Sequence, residues 1–270
     1  MEFEADFPDS AEDIPRLLIP TPSEPCTRPL SLFLNEHWQI FEFLFFTSHL
    51  AVAQDQTRLH AVRALAKGGS EEDQKRLELA EKNKDATFKK FQSFGQFYSD
   101  TMVVRLVDNF LCYLSELIQL CMKTKPEVLR SSEMVKIEDI LKLSNMDEVI
   151  EFLVERKINE LSYGGTKELN QFCSDRLGMS IWNNEDERGV LSVGVELRNI
   201  ITHNRGIVNA LFLSRLRNTV HPFEFRLGRA FHADFDQLVV LANHMINIAR
   251  RLDAQAAEKF GINRGLFSRP

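Results

Sequence analysis

Two stretches constrain the fold most. Thr101 to Met122 and Asp234 to Phe260 bring apolar side chains back every three or four residues. In the first these are Val104, Val107, Leu111, Leu114, Ile118 and Cys121; in the second, Phe235, Leu238, Leu241, Met245, Ile248 and Leu252. That period belongs to amphipathic helices. A third helical pattern runs from Ser31 to about Lys67 through Leu34, Trp38, Phe41, Leu44 and Phe45. The fold class is therefore all-α.

The punctuation between these helices divides the chain. Residues 1–30 hold six of the nine prolines and seven acids, so they read as a flexible or loosely docked tail that buries little. Pro15 to Pro20 is its one apolar anchor, and a partner-binding arm is the alternative. Residues 31–94 read as a helical hairpin extension, because Lys67-Gly-Gly-Ser70 ends one helix and Ser70-Glu-Glu-Asp73 opens another. Its charged stretch 71–90 predicts an exposed arm. Residues 95–262 form the main helical domain, and 263–270 a C-terminal tail. Within that domain a short helix is expected near Ile137 to Leu143. Asn145 with Glu148 caps a helix that Gly164-Gly165 should close, and Thr166 starts a short one running to Leu177. Asn184 and its following acids open the next. Pro222, Gly228 and the Phe and Val content predict an extended or hairpin-like segment over 218–232.

Composition narrows the function. A formal net charge of −6 counts against broad, charge-driven nucleic-acid binding but leaves room for a local basic site. Cys26, Cys112, Cys121 and Cys173 form no C-x-x-C pair and no zinc-ligand spacing with a histidine. They read as free thiols in a reducing compartment. Acids stand where a signal peptide needs basic residues, and the richest apolar run, Trp38 to Val52, is too short and polar to span a bilayer. A cytoplasmic protein without membrane attachment, metal or cofactor is expected.

One segment carries chemistry: Glu196 to Asn209, ELRNIITHNRGIVN. On a helical wheel Val193, Leu197, Ile200 and Ile201 make an apolar face. Glu196, Arg198, Asn199, Thr202 and His203 fill the opposite arc, with Arg198 and His203 about 140° apart. No acid occurs from Leu197 to Phe223, while Arg198, Arg205, Arg215 and Arg217 do. Arginine offers a planar donor fork for phosphate, and histidine exchanges protons near neutrality. RNA brings its own nucleophile, the 2′-hydroxyl. His203 could move its proton or protonate the leaving oxygen, Arg198 could stabilise the phosphorane and Asn199 could orient a hydroxyl or phosphate oxygen. Read without any further context, His203 and Gly206 make a helix C-terminus, and Arg198 pairs with Glu196 or another acid. The remaining histidines, His37, His49, His60, His221, His232 and His244, read as structural.

The string Arg198-Asn199-Ile-Ile-Thr-His203-Asn204-Arg205-Gly206-Ile-Val-Asn209 resembles the R-x4-H signature of the HEPN superfamily. The resemblance covers roughly residues 95 to 260. It implies an antiparallel helical bundle and a homodimer that brings two motifs into one cleft. It also implies a metal-independent RNA endonuclease, of the kind found as toxins or in antiphage defence, with an antitoxin or defence-system partner. The site would comprise Arg198, His203 and Asn199 for catalysis, with Arg205, Asn204 and Thr202 toward the RNA. The alternative is a non-catalytic member that binds RNA, a nucleotide or a protein. Members modified by a nucleotidyltransferase antitoxin carry Tyr two residues after the histidine. Arg205 stands there instead, so tyrosine AMPylation at that position is excluded.

Overall fold

The computed structural model describes residues 15–130 and 134–269. The described chain is an all-α helical bundle with a single two-stranded sheet of Pro25–Cys26 (β1) against Gly265–Leu266 (β2). Its principal helices are α1 (Arg28–Leu65), α2 (Glu71–Lys82), α3 (Ala86–Gln92), α4 (Gly95–Thr124), α5 (Ile137–Ile140), α6 (Met146–Phe172), α7 (Glu185–Asn204), α8 (Ala210–Leu216) and α9 (Phe235–Phe260).

Helix α4 is the axis of the bundle. Of its expected stripe, Val107, Leu114, Ile118 and Cys121 are buried while Val104 and Leu111 are half-buried; Val103, Leu106, Phe110 and Leu117 complete the buried face. Tyr113 Oη donates to the Ala249 carbonyl at 2.8 Å and Ser99 Oγ donates to that of Ala233, so α9 runs parallel to α4. Asn109 Nδ2 donates to the Phe33 carbonyl at 3.0 Å, and Arg105 pairs with Glu36, so α1 runs antiparallel to α4. Helix α7 runs antiparallel to α9, with Glu187 bonded to Arg251 near one end and Gly194 against Leu241 and Met245 midway. One core therefore extends from α1 through α4 to α9, across the expected boundary near residue 94.

Beyond Phe46, α1 leaves this core and is flanked by α2 and α3. Neither short helix buries a residue, which matches the expected exposed arm. The Asp55 carboxylate fastens the arm by accepting from Thr87 N at 3.1 Å and Phe88 N at 2.9 Å, at the start of α3.

Two expectations are corrected, the end of α6 and the looseness of residues 15–27. The Gly164-Gly165 pair does not close a helix. Helix α6 runs through it to Phe172 and ends in a π-helical turn, Cys173–Leu177, with no separate helix from Thr166. Burial of both Leu161 and Leu169 on the core side outweighs the low helix propensity of the glycines. The 218–232 segment is non-helical, in keeping with the extended alternative rather than a hairpin. Its one ladder contact is the isolated bridge Ile207–Ala230. What holds it is an aromatic cluster in which Phe225 stands 4.8 Å from Phe212 and 4.7 Å from Phe231, ring centre to centre. Residues 15–27 are docked rather than loose: Asn243 on α9 accepts from Leu18 N at 2.8 Å and donates to the Arg16 carbonyl at 2.8 Å. Buried Asp253 receives Thr27 N, Thr27 Oγ1 and Arg264 Nε, which ties β1 and β2 to α9. The acids of the first fourteen residues lie outside the described residues.

Candidate functional site

Helix α7 positions the motif. Asn184 Oδ1 accepts from Glu187 N at 2.8 Å to cap its start, and Glu185, Asp186 and Glu187 stand in its first turn. Val190, Leu191, Val193, Leu197 and Ile200 are buried, as the wheel requires, with Ile201 half-buried. Two glycines let neighbours approach. A methyl group on Gly194 would stand 2.7 Å from Leu241 Cδ1, and one on Gly189 would stand 1.6 Å from the Val220 carbonyl oxygen. The far end closes with Arg205, not Gly206 alone, in the left-handed region. Arg205 has φ 53° and Gly206 φ 73°, and Gly206 N donates to the Ile200 carbonyl at 2.9 Å.

The six expected site residues divide into two groups. Arg198 and Asn199 are half-buried and line a groove of about 980 Å³ between α4, α6, α7 and α8. Arg188, Arg215, Lys167 and Trp182 share that groove with them. Thr202, His203 and Arg205 stand exposed at the helix end. Asn204 is spent on the turn, donating from Nδ2 to the Ile207 carbonyl at 2.6 Å. Within one chain the structure therefore does not bring Arg198 and His203 together.

The acid-free run of sequence is not acid-free in space. Arg198 Nε donates to Asp108 Oδ1 on α4 at 2.9 Å, and its Nη1 to Asn199 Oδ1 at 3.4 Å. Arg215 Nη1 meets both carboxylate oxygens of Glu196 at 3.2 and 3.1 Å. Arg205 and Arg217 make no ion pair among the described residues. The 206–208 strand-like turn lies against 228–231 through Val208 N to the Arg229 carbonyl at 3.0 Å and Phe231 N to the Gly206 carbonyl at 3.0 Å. That contact brings exposed Arg229 to the same end as Arg205 and His203.

Two residues that read as unremarkable in sequence join this end. His232 Nδ1 lies 2.9 Å from Asp100 Oδ1, and its ring is packed beside Gly206. A carboxylate that orients one imidazole nitrogen leaves the other to face solvent or a ligand. Asp100, Asp108 and His232 gave no sequence signal, because each meets its partner across the fold. Among the described residues no three His, Cys, Asp or Glu side chains gather as a metal site. Nor is any helix long and apolar enough to cross a membrane. Cys26, Cys121 and Cys173 are buried free thiols and Cys112 an exposed one, and burial pushes Cys121 and Cys173 up to about 12.

Fold and site together define a helical-bundle protein with a polar, arginine-lined groove and an exposed histidine at the end of one of the helices that line it. Compared with known protein families, characterised proteins and solved structures, the chain matches none.

Proposed function

We propose that this chain is a cytoplasmic, metal-independent endoribonuclease of the HEPN type, acting as a homodimer in a toxin or antiphage defence role. One observation supports it above the rest. Arg198 and Asn199 open into a groove large enough for a nucleotide, while His203 stands exposed on the same helix. Arg198 and His203 are five positions apart, about 7.5 Å along the axis, and they point to different sides. A site that uses both takes the groove of one subunit and the histidine of another.

In that site the RNA 2′-hydroxyl attacks the adjacent phosphorus and the 5′-oxygen leaves. His203 moves a proton at one of these oxygens. Arg198, already held by Asp108, turns its remaining donors toward the charge that builds on the phosphorane, and Asn199 Nδ2 donates to a hydroxyl or phosphate oxygen. Arg205 and Thr202 meet the strand at the helix end. The products carry 2′,3′-cyclic phosphate ends.

The test is cleavage of end-labelled single-stranded RNA by the full chain in EDTA, with His203→Ala and Arg198→Ala beside it. Each substitution should lower the rate by about 100-fold or more. Absence of cleavage by the unaltered chain, or equal cleavage by the variants, rejects the reading.

A second reading has its own support. The Arg198–Asp108 and Arg215–Glu196 pairs already neutralise two of the groove's cations. A non-catalytic module that binds RNA, a nucleotide or a protein would keep those pairs. It would bind RNA without cutting it.

A further inference from the structure

We infer that the exposed apolar face shared by α1 and the start of α4 is the surface on which a second copy of this chain docks. The inference rests on the homodimer of the preceding section and adds where the two chains meet. Phe43, Phe46 and Leu50 follow one another at three- and four-residue spacing on α1 and are 59%, 58% and 50% exposed. Phe97, on α4, is 68% exposed, and its carbonyl holds the hydroxyl of Thr101 one turn on. Thr101 and Phe43 line the same slot. Between His37 and Gln54 the only formally charged residue of α1 is Glu42.

The size of the patch matches a dimer. Side chains of this kind carry about 200 Å² each, so these four leave on the order of 450 Å² of apolar surface in water. A standard interface takes about 800 Å² from each partner, about 65% of it apolar in homodimers. The four side chains supply most of that apolar share. An uncovered patch of this size falls within the range of about 300–600 Å² that the largest patch of a monomer reaches, and such patches are often functional.

Shape and charge favour a copy over a different partner. A two-fold interface is self-complementary, so one patch must hold both the knob and the hole. Phe46 and Phe97 protrude. Beside them a slot of about 230 Å³ opens between Glu36, Phe43, Leu44, Tyr98, Met102 and Arg105. The slot's rim carries both signs, Glu36 on α1 and Arg105 on α4, and these already pair within the chain. Mixed charge suits a rim that must meet its own image.

The patch also borders the candidate site. Arg105 and Asp108 stand about one turn apart on α4, and Asp108 holds Arg198. A second copy seated on α1 and α4 stands beside the Arg198 groove.

The experiment is the mass of the full chain in solution, by sedimentation or light scattering, without RNA. The unaltered chain should be a dimer at low micromolar concentration. The double variant Phe43→Glu, Phe46→Glu should weaken association by about 100-fold or more, because a two-fold repeats every substitution. Leu211→Glu, at an exposed position on α8, should leave it unchanged. Circular dichroism confirms the fold, and Phe43→Ser with Phe46→Ser takes over if the charged pair unfolds the chain. A monomeric unaltered chain, or a folded double variant that still dimerises, overturns the inference. Because RNA is absent, a chain that dimerises through this patch but does not cut RNA upholds the surface and rejects only the ribonuclease.

Discussion

Arg198 on α7 and Asp108 on α4, ninety residues apart in sequence, meet at 2.9 Å, each with about a third of its side chain exposed (33%). The pair ties one edge of the guanidinium to the bundle and leaves the rest beside the groove. At this exposure such a bond is worth about 0–1 kcal/mol of stability, so its main effect is on where Arg198 points. Asp108→Ala should shift the denaturation midpoint little and lower RNA cleavage by about 10-fold through the lost alignment. Paired measurements of unfolding and cleavage check this. Unchanged cleavage would mean that Asp108 does not position Arg198.

Gly189 and Gly194 on α7 differ in what blocks a larger side chain. At Gly194 the obstacles are the ends of Leu241 and Met245 and a methyl of Val107, at 2.7, 3.3 and 3.4 Å. These can yield, and alanine brings a better helix propensity in return. Gly194→Ala should cost about 1–2 kcal/mol. At Gly189 the obstacle is the backbone carbonyl of Val220 at 1.6 Å. Gly189→Ala must push the 218–220 segment away and should cost about 3 kcal/mol or more. Urea unfolding of the two variants ranks them, and an equal loss would refute this close approach.

How far the fold could be read depended on the range of the interaction. Helices α4, α7 and α9 were legible, since a local period marks each and a side-chain cap, Asn184 or Asp234, opens α7 and α9. The continuation of α6 through Gly164-Gly165 was not, because burial of Leu161 and Leu169 against other helices decides it. Helix α8 is only Ala210–Leu216, too short for a period. Its signal was the Asn209 cap, which accepts from Phe212 N at 2.8 Å. The proline-rich stretch looked loose because its anchors, Asn243 and Asp253, lie more than two hundred residues on. In the site, the polar arc of α7 could be placed on a wheel. The carboxylate that holds Arg198, Asp108, comes from α4 and could not.

His37 makes a pH prediction. It is buried between Phe33 and Phe41, with ring centres 5.8 and 5.6 Å away, and neither ring nitrogen has a partner among the described residues. Burial lowers its pKa from 6.5 to about 4. The Arg250 charge adds to the fall and the Leu18 backbone opposes it. The folded value lies below the unfolded one, so between these values the unfolded chain binds the proton and the folded chain does not. Stability is full above about pH 6.5 and declines as pH falls toward 4, by about 3 kcal/mol in all. His37→Phe should remove that part of the slope. Urea midpoints at pH 7 and 4.5 for both chains measure it, and identical slopes would reject the buried neutral imidazole.

Arg205 holds a backbone conformation that glycine adopts more easily. Its φ of 53° closes α7, with its own amide bonded to the Ile200 carbonyl. A non-glycine residue there costs about 1 kcal/mol. Such a cost at a helix end is retained where the side chain does something that glycine cannot. Arg205→Gly should therefore raise stability by up to about 1 kcal/mol and at the same time weaken RNA binding. If the guanidinium meets one phosphate, the slope of log affinity against log salt falls by about 0.7 for a single strand. Thermal unfolding and RNA titrations at several salt concentrations read the two effects independently. A variant that gains stability and binds RNA with an unchanged salt slope would leave Arg205 as a helix cap without a role in binding.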